Sequence, residues 1–223
     1  MKIDRLILGE YETNCYILRE SDTAKDCLIV DAGLGADRLI NFLKEHKLNP
    51  VAVVLTHGHI DHIAGVAALR AEFADMKVYI HKLDAKMLTE AEHNLSALAG
   101  VPFSDDPADL LIEDDDVIEQ VSIKLQVLHT PGHTPGGICL YSPTPASSDT
   151  SRGGGKDEGI VFTDDTLFAD SIGRTDFPNG SMSQLLNSIK EKLFTLPDET
   201  KVYPGHGPIT TIAREKAHNQ FFQ

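Results

Sequence analysis

Short apolar runs alternate with helical stretches along the first half of the chain. Residues 2–8, residues 14–19 and Cys27 to Val30 read as strands, with Asp31-Ala32-Gly33 as a turn. Between Asp37 and His46, Leu39, Ile40, Phe42 and Leu43 fall at helical spacing, and Pro50 closes that unit. Val51 to Leu55 is wholly apolar, the pattern of a strand covered on both faces. Ile63 to Phe73 predicts a helix and Met76 to His81 a strand. Residues 83–99, rich in Ala and Leu, predict another helix, broken by Gly100-Val101-Pro102.

The second half repeats the theme. Glu113-Asp114-Asp115 is a charged turn before strands at Asp116 to Gln120 and Ser122 to Leu128, and Gly137 to Tyr141 is a further strand. Segment 142–159 is rich in Pro, Ser, Gly and charge, and reads as a mobile surface loop. Apolar strand character resumes at Ile160, so that loop is an insertion in one domain, 1–223, rather than a linker. An amphipathic helix at 182–194, a strand at Lys201 to Tyr203 and a helix at 209–219 complete the chain. Alternating strands and helices predict an α/β layered fold.

Composition narrows the function. The 223 residues are 41% hydrophobic and 24% charged, ordinary for a soluble globular protein. Uncharged apolar runs stay below the roughly 18 residues of a membrane span. Charges in MKIDRLILGE interrupt a signal-peptide core, so a cytoplasmic location is expected. Twenty basic residues against 34 acidic ones give a net charge of −14, which speaks against non-specific nucleic-acid binding. Cys15, Cys27 and Cys139 form no CxxC pair and read as reduced, buried thiols. Ten histidines are many, so their positions carry the reading.

The strongest signal is Thr56-His57-Gly58-His59-Ile60-Asp61-His62, directly after the apolar strand and before a helix. His57 and His59 are two apart in extended chain and point to one side. Asp61 and His62 fall where the helix begins, so their side chains diverge around its axis. One short segment can therefore feed two adjacent cations. Three more segments have the same character: His129-Thr130-Pro131-Gly132-His133-Thr134, Thr163-Asp164-Asp165-Thr166 and Pro204-Gly205-His206-Gly207. Each is an apolar strand followed by a tight polar turn, the place where a rigid scaffold presents ligands. His46, His81, His93 and His218 have no such context and read as surface or packing residues.

Together with Asn14-Cys15-Tyr16, Ile29-Val30-Asp31-Ala32-Gly33, Asp165-Thr166-Leu167-Phe168 and Gly173-Arg174-Thr175-Asp176-Phe177, these motifs resemble the metallo-β-lactamase superfamily. Within it the chain is similar to the short glyoxalase II-like hydrolases of hydroxyacyl-glutathione thioesters. The resemblance implies a four-layer αβ/βα sandwich. It implies that His57, His59 and His133 hold one metal, that Asp61, His62 and His206 hold a second, and that Asp165 bridges them. Relatives usually carry Gly before the bridging Asp, where this chain has Asp164. True β-lactamases use a Cys ligand at the second metal instead. Asp31 and His129 are implied to orient loops behind the ligands. Arg174 matches a basic, glutathione-contacting position, while Asp176 stands where classical enzymes carry Tyr. Only 17 residues follow His206, too few for the helical domain that completes the classical glutathione site.

Five His and two Asp make an all-nitrogen-and-oxygen set, so two divalent metals are expected, zinc first, with iron or manganese also suited. Water between two cations loses a proton near neutral pH. The resulting hydroxide would attack a carbonyl carbon, with Asp61 orienting it. A thiol leaves as thiolate without a general acid, whereas an amide nitrogen needs a proton donor. A small-molecule thioester is therefore the expected substrate, taken by a monomer or homodimer. The alternatives are a single-iron persulfide dioxygenase, whose family shares the 173–177 segment, and a lactonase or other ester hydrolase.

Overall fold

In the third strand, alternate side chains take opposite sides. Cys27 and Ile29 join one core, Leu28 and Val30 another. The same split divides Val53 and Leu55 from Ala52 and Val54, and Val78 and Ile80 from Tyr79. Strands whose two faces both find apolar partners must lie between two other layers. The computed structural model, which describes residues 1–143 and 159–223, shows what those layers are. The expectation for the 142–159 insertion, lid role included, lies outside the described residues apart from Ser142, Pro143 and Gly159.

The strands are β1 (Lys2–Leu8), β2 (Thr13–Arg19), β3 (Asp26–Val30), β4 (Asn49–Leu55), β5 (Lys77–His81), β6 (Leu110–Ile112), β7 (Val117–Gln120), β8 (Ile123–His129), β9 (Ile138–Ser142), β10 (Ile160–Asp164), β11 (Leu167–Phe168), β12 (Ser171–Ile172), β13 (Lys201–Pro204) and β14 (Thr210–Thr211). One sheet runs β1-β2-β3-β4-β5-β6, antiparallel through β3 and parallel from there on, with Val30 opposite Val54 and Leu55 opposite Ile80. The other runs β14-β13-β10-β9-β8-β7, and only β10 and β13 pair in parallel. β11 and β12 form a separate ribbon.

The helices are α1 (Ala36–His46), α2 (Ile60–Ile63), α3 (Val66–Glu72), α4 (Ala85–Thr89), α5 (Met182–Ser188), which continues as a π-helical turn through Leu193, and α6 (Ile212–His218). The inter-sheet core joins Tyr16, Leu28 and Val54 to Leu125, Leu140 and Phe162. Leu39, Leu43 and Leu69 cover the outer face of the first sheet, and Leu185, Ile189 and Ile212 that of the second. Helix, sheet, sheet, helix is the four-layer sandwich the motifs implied.

Four local expectations change. Pro50 does not end a unit; it sits second in β4, at the start of the strand. The helix expected over 63–73 begins at Ile60 and is interrupted before Val66, where the Gly65 N–H donates to the Ala32 carbonyl at 2.7 Å. The helix expected over 83–99 stops at Thr89. Beyond it the buried Asn94 amide donates to the carbonyls of Met87 (2.7 Å) and Phe103 (3.0 Å), which draws the chain into turns. The last helix begins at Ile212, because Thr210 and Thr211 pair with β13.

Candidate metal centre

β4, β8, β10 and β13 deliver the four motif loops to one end of the sandwich. Backbone bonds lock the two sheets together there: Ile138 N–H to Thr56 O at 2.9 Å, and Asn14 N–H to Gly205 O at 2.7 Å. Tyr16 and Asn14 donate side-chain bonds to the Pro204 carbonyl at 2.7 and 2.9 Å, fixing the turn that carries His206.

Three ring nitrogens converge first. Nδ1 of His59 lies 3.0 Å from Nε2 of His57 and 2.9 Å from Nε2 of His133. A second group, Asp61, His62 and His206, has Asp61 Oδ2 at 3.3 Å from His62 Nε2 and 3.4 Å from His206 Nε2. Asp165 stands between the groups. One of its oxygens is 3.6 Å from His133 Nε2, and the other is 3.4 Å from His206 Nε2 and 3.7 Å from His62 Nε2. The seven residues picked from sequence thus meet at one place.

The far nitrogens explain how the rings are held. His57 Nδ1 meets Asp164 Oδ2 at 2.5 Å, and His62 Nδ1 lies 3.0 Å from Asp164 and 3.2 Å from Asp31. His133 Nδ1 donates to the Arg174 carbonyl at 2.7 Å, and His206 Nδ1 to the Tyr11 carbonyl at 2.9 Å. Carboxylates and carbonyls only accept, so each of these nitrogens carries a proton and Nε2 of each ring is left facing inward. Asp164 and Asp165, adjacent in sequence, therefore do different things. Asp164 sits behind the rings, and Asp165 faces the donor atoms. The split depends on Asp164 taking φ 46°, a left-handed conformation glycine enters freely and Asp tolerates better than most residues.

Electrostatics follow the burial. Burial and its histidine neighbours hold His59 well below the usual imidazole range. Burial likewise lowers His133, outweighing the nearby Asp165. Burial would raise Asp61, but His62 and His206 overrule it and keep the group a carboxylate. Burial, with Asp164 close by, pushes Asp31 up to about 6 against the pull of His62. Asp31 also accepts from Thr56 N–H at 2.9 Å and Thr56 Oγ1 at 2.8 Å, tying β3 to the start of the histidine loop. His129 is away from the donors; it stacks on His81 at 4.3 Å and bonds the Pro135 carbonyl at 2.9 Å, bracing the His133 loop.

Sequence reading missed Asp84. Its buried carboxylate accepts from Thr134 Oγ1 at 2.7 Å and Gly136 N–H at 2.6 Å, and from the Gly58 N–H, so it ties the His57–His59 loop to the His133 loop. A lone Asp at a helix start carries no signal of that role.

Of the donors, His59, Asp61, His133, Asp165 and His206 line a cavity of about 570 Å³, while His57 and His62 lie behind them. Tyr11, Leu95, Leu98, Phe168, Arg174 and Phe177 form much of its wall. The Arg174 guanidinium lies 3.9 Å over the Phe177 ring and forks onto Asp176 at 2.7 and 2.8 Å.

This arrangement has relatives. The profile of the Metallo-beta-lactamase superfamily matches residues 8–145, and the chain belongs to that superfamily. It is 38% identical over 222 residues to the "Probable metallo-hydrolase YqgX" of Bacillus subtilis (strain 168), covering 99% of this chain and 97% of that one. It is 31% identical to hydroxyacylglutathione hydrolase GloC of Haemophilus influenzae, covering 99% and 98%, a likeness that fits the glyoxalase II-like subgroup. Among solved structures it is similar to the BLEG-1 B3 metallo-beta-lactamase (TM-score 0.88, 37% identity, 99% of both chains). It is also similar to TTHA1623 in a di-iron-bound form (0.79, 32%, 98% and 99%) and to ETHE1 from Myxococcus xanthus (0.74, 32%, 99% and 84%). The chain is a metallo-hydrolase of this superfamily.

Proposed function

We propose that this chain is a dinuclear metal hydrolase of thioesters, of the hydroxyacyl-glutathione type. The observation that carries the reading is the Asp165 carboxylate standing between two three-residue donor groups, each of which lines one cavity with two of its residues. The donors suit cations. Nε2 of His62 and Oδ1 of Asp165 are buried without a hydrogen-bond partner among the described residues. Three imidazole nitrogens crowd within 3.0 Å of a neighbour, with the outer nitrogens of His57 and His133 already committed as donors. His57, His59 and His133 would hold one metal, and Asp61, His62 and His206 the other, with Asp165 against both. Two divalent cations supply Lewis acidity toward a carbonyl oxygen and activate water near neutral pH. Without a thiolate the set accepts zinc, iron or manganese. We take zinc first; the di-iron form of TTHA1623 supports iron as the alternative.

The chain's own groups supply the rest. Asp61 remains ionised, accepts from Thr13 Oγ1 at 3.3 Å and faces the cavity, where it can accept a hydrogen bond from the attacking water and orient it. Outside the donor set, Tyr11 and Arg174 are the titratable groups of the wall among the described residues. A leaving group that needs no proton suits such a wall, and a thiol near pKa ~8.5 is one. Arg174 at the rim offers a cation to a substrate carboxylate. GloC, similar over 98% of its length, supports the same substrate class.

We place the activity in the cytoplasm, consistent with three free, buried cysteines, and in a monomer or homodimer that binds neither nucleic acid nor membrane. No helix among the described residues is long and apolar enough to cross a membrane. The test is steady-state hydrolysis of S-lactoylglutathione by metal-loaded protein, read as free thiol. The expected kcat/KM is about 10⁴ M⁻¹s⁻¹ or higher. Oxygen uptake on a persulfide with one iron per chain, and no thiol release, would replace this reading with the dioxygenase.

A further inference from the structure

Arg174 is the one permanent cation of the cavity wall among the described residues, yet the Nε edge of its guanidinium is already taken. Nε and one terminal nitrogen fork onto the two Asp176 oxygens at 2.8 and 2.7 Å. The Phe177 ring lies beneath the guanidinium at 3.9 Å and fixes its plane. Arg174 and Phe177 line the cavity, whereas Asp176 does not and is well exposed. The fork is thus turned onto a residue outside the wall. The backbone is committed separately, since the Arg174 carbonyl accepts from His133 Nδ1. The side chain can therefore change partners without moving a donor ring.

We propose that Asp176 is a specificity-determining residue: it competes with substrate carboxylates for the Arg174 guanidinium and so weakens the binding of anionic arms relative to neutral ones. A carboxylate ligand would have to displace Asp176 to fork onto the Nε edge, and at the free terminal nitrogen it would meet a guanidinium whose charge Asp176 already offsets. A neutral arm would not, and would use the apolar wall of Leu95, Leu98 and Phe168 alone. The proposal rests on the thioesterase reading for its biological meaning, but its test does not depend on turnover.

S-hexylglutathione is a thioether with two carboxylates and no scissile acyl bond. The hexyl thioether of N-acetylcysteamine keeps the apolar arm and lacks the carboxylates. Calorimetric titration of both, with the metal-loaded protein and its Asp176→Asn and Asp176→Ala variants, reads the competition directly. Both variants are expected to bind S-hexylglutathione about five-fold more tightly, the scale of an exposed pair, with the gain shrinking at high salt. Affinity for the neutral thioether should move less than two-fold. Arg174→Gln should weaken only the anionic ligand, and adding Asp176→Asn to it should restore nothing. Equal tightening of both ligands, no tightening in either Asp176 variant, or no binding of S-hexylglutathione by any form overturns the proposal. Binding as expected without hydrolysis of any thioester would instead overturn the thioesterase reading and leave this one standing.

Discussion

Two adjacent carboxylates divide the work of the centre, and the division is a matter of one backbone angle. Asp164 faces the Nδ1 atoms of His57 and His62, while Asp165 faces the inner donor atoms. Asp165→Gly should therefore fail to retain two metals. Asp164→Gly, which suits φ 46°, should keep the two-metal stoichiometry with about 10–100-fold weaker affinity, the usual cost of losing a carboxylate behind a histidine ligand. Metal content after dialysis against a competing chelator separates them; equal losses in both variants would contradict the assignment. The seven inner residues were legible because they sit in dense motifs. Their supports were not, since carbonyls such as those of Arg174 and Tyr11 leave no mark in a sequence.

Elements position these residues through close backbone contacts. The β11–β12 ribbon ends at Gly173, where an added Cβ would overlap the Asp165 carbonyl oxygen. Gly173→Ala should thus push the Asp165 segment away, lowering bound metal and the thermal midpoint together. Unchanged metal content in that variant would show that the ribbon does not set the carboxylate. The main strands could be read because their apolar runs are fully covered. β6 and the β11–β12 ribbon could not, being only two or three residues long. The false helix past Thr89 shows the opposite failure: Ala and Leu favour a helix, but the buried amide of Asn94 takes the carbonyls of Met87 and Phe103.

At the scale of the molecule, strand periodicity supplied only an α/β class; the four layers came from the motif resemblance. The alternation of core residues shows why both agree, since each sheet must be covered on two sides. One prediction belongs to the whole fold. Burial, with His129 and Lys82 adding to it, lowers His81 to about 4, and its Nδ1 accepts from the Leu83 N–H at 3.3 Å. At this one residue the unfolded chain, with an imidazole near pKa ~6.5, binds more protons than the folded one between about pH 4 and 6.5. The His81 contribution to stability should rise with pH across that window and fall as pH drops through it, opposite in sign to that of the raised Asp31. In chelator-treated protein, His81→Phe should make the slope of thermal midpoint against pH less positive across that window; an unaltered slope would remove His81 from the account.

The central claim is that two cations, held by these seven residues, serve thioester hydrolysis. Thiol release from S-lactoylglutathione, followed as metal is titrated into the metal-free chain, tests it most directly. Activity should climb to a plateau at two equivalents per chain. A plateau at one equivalent, or no thiol release at any loading, would contradict it.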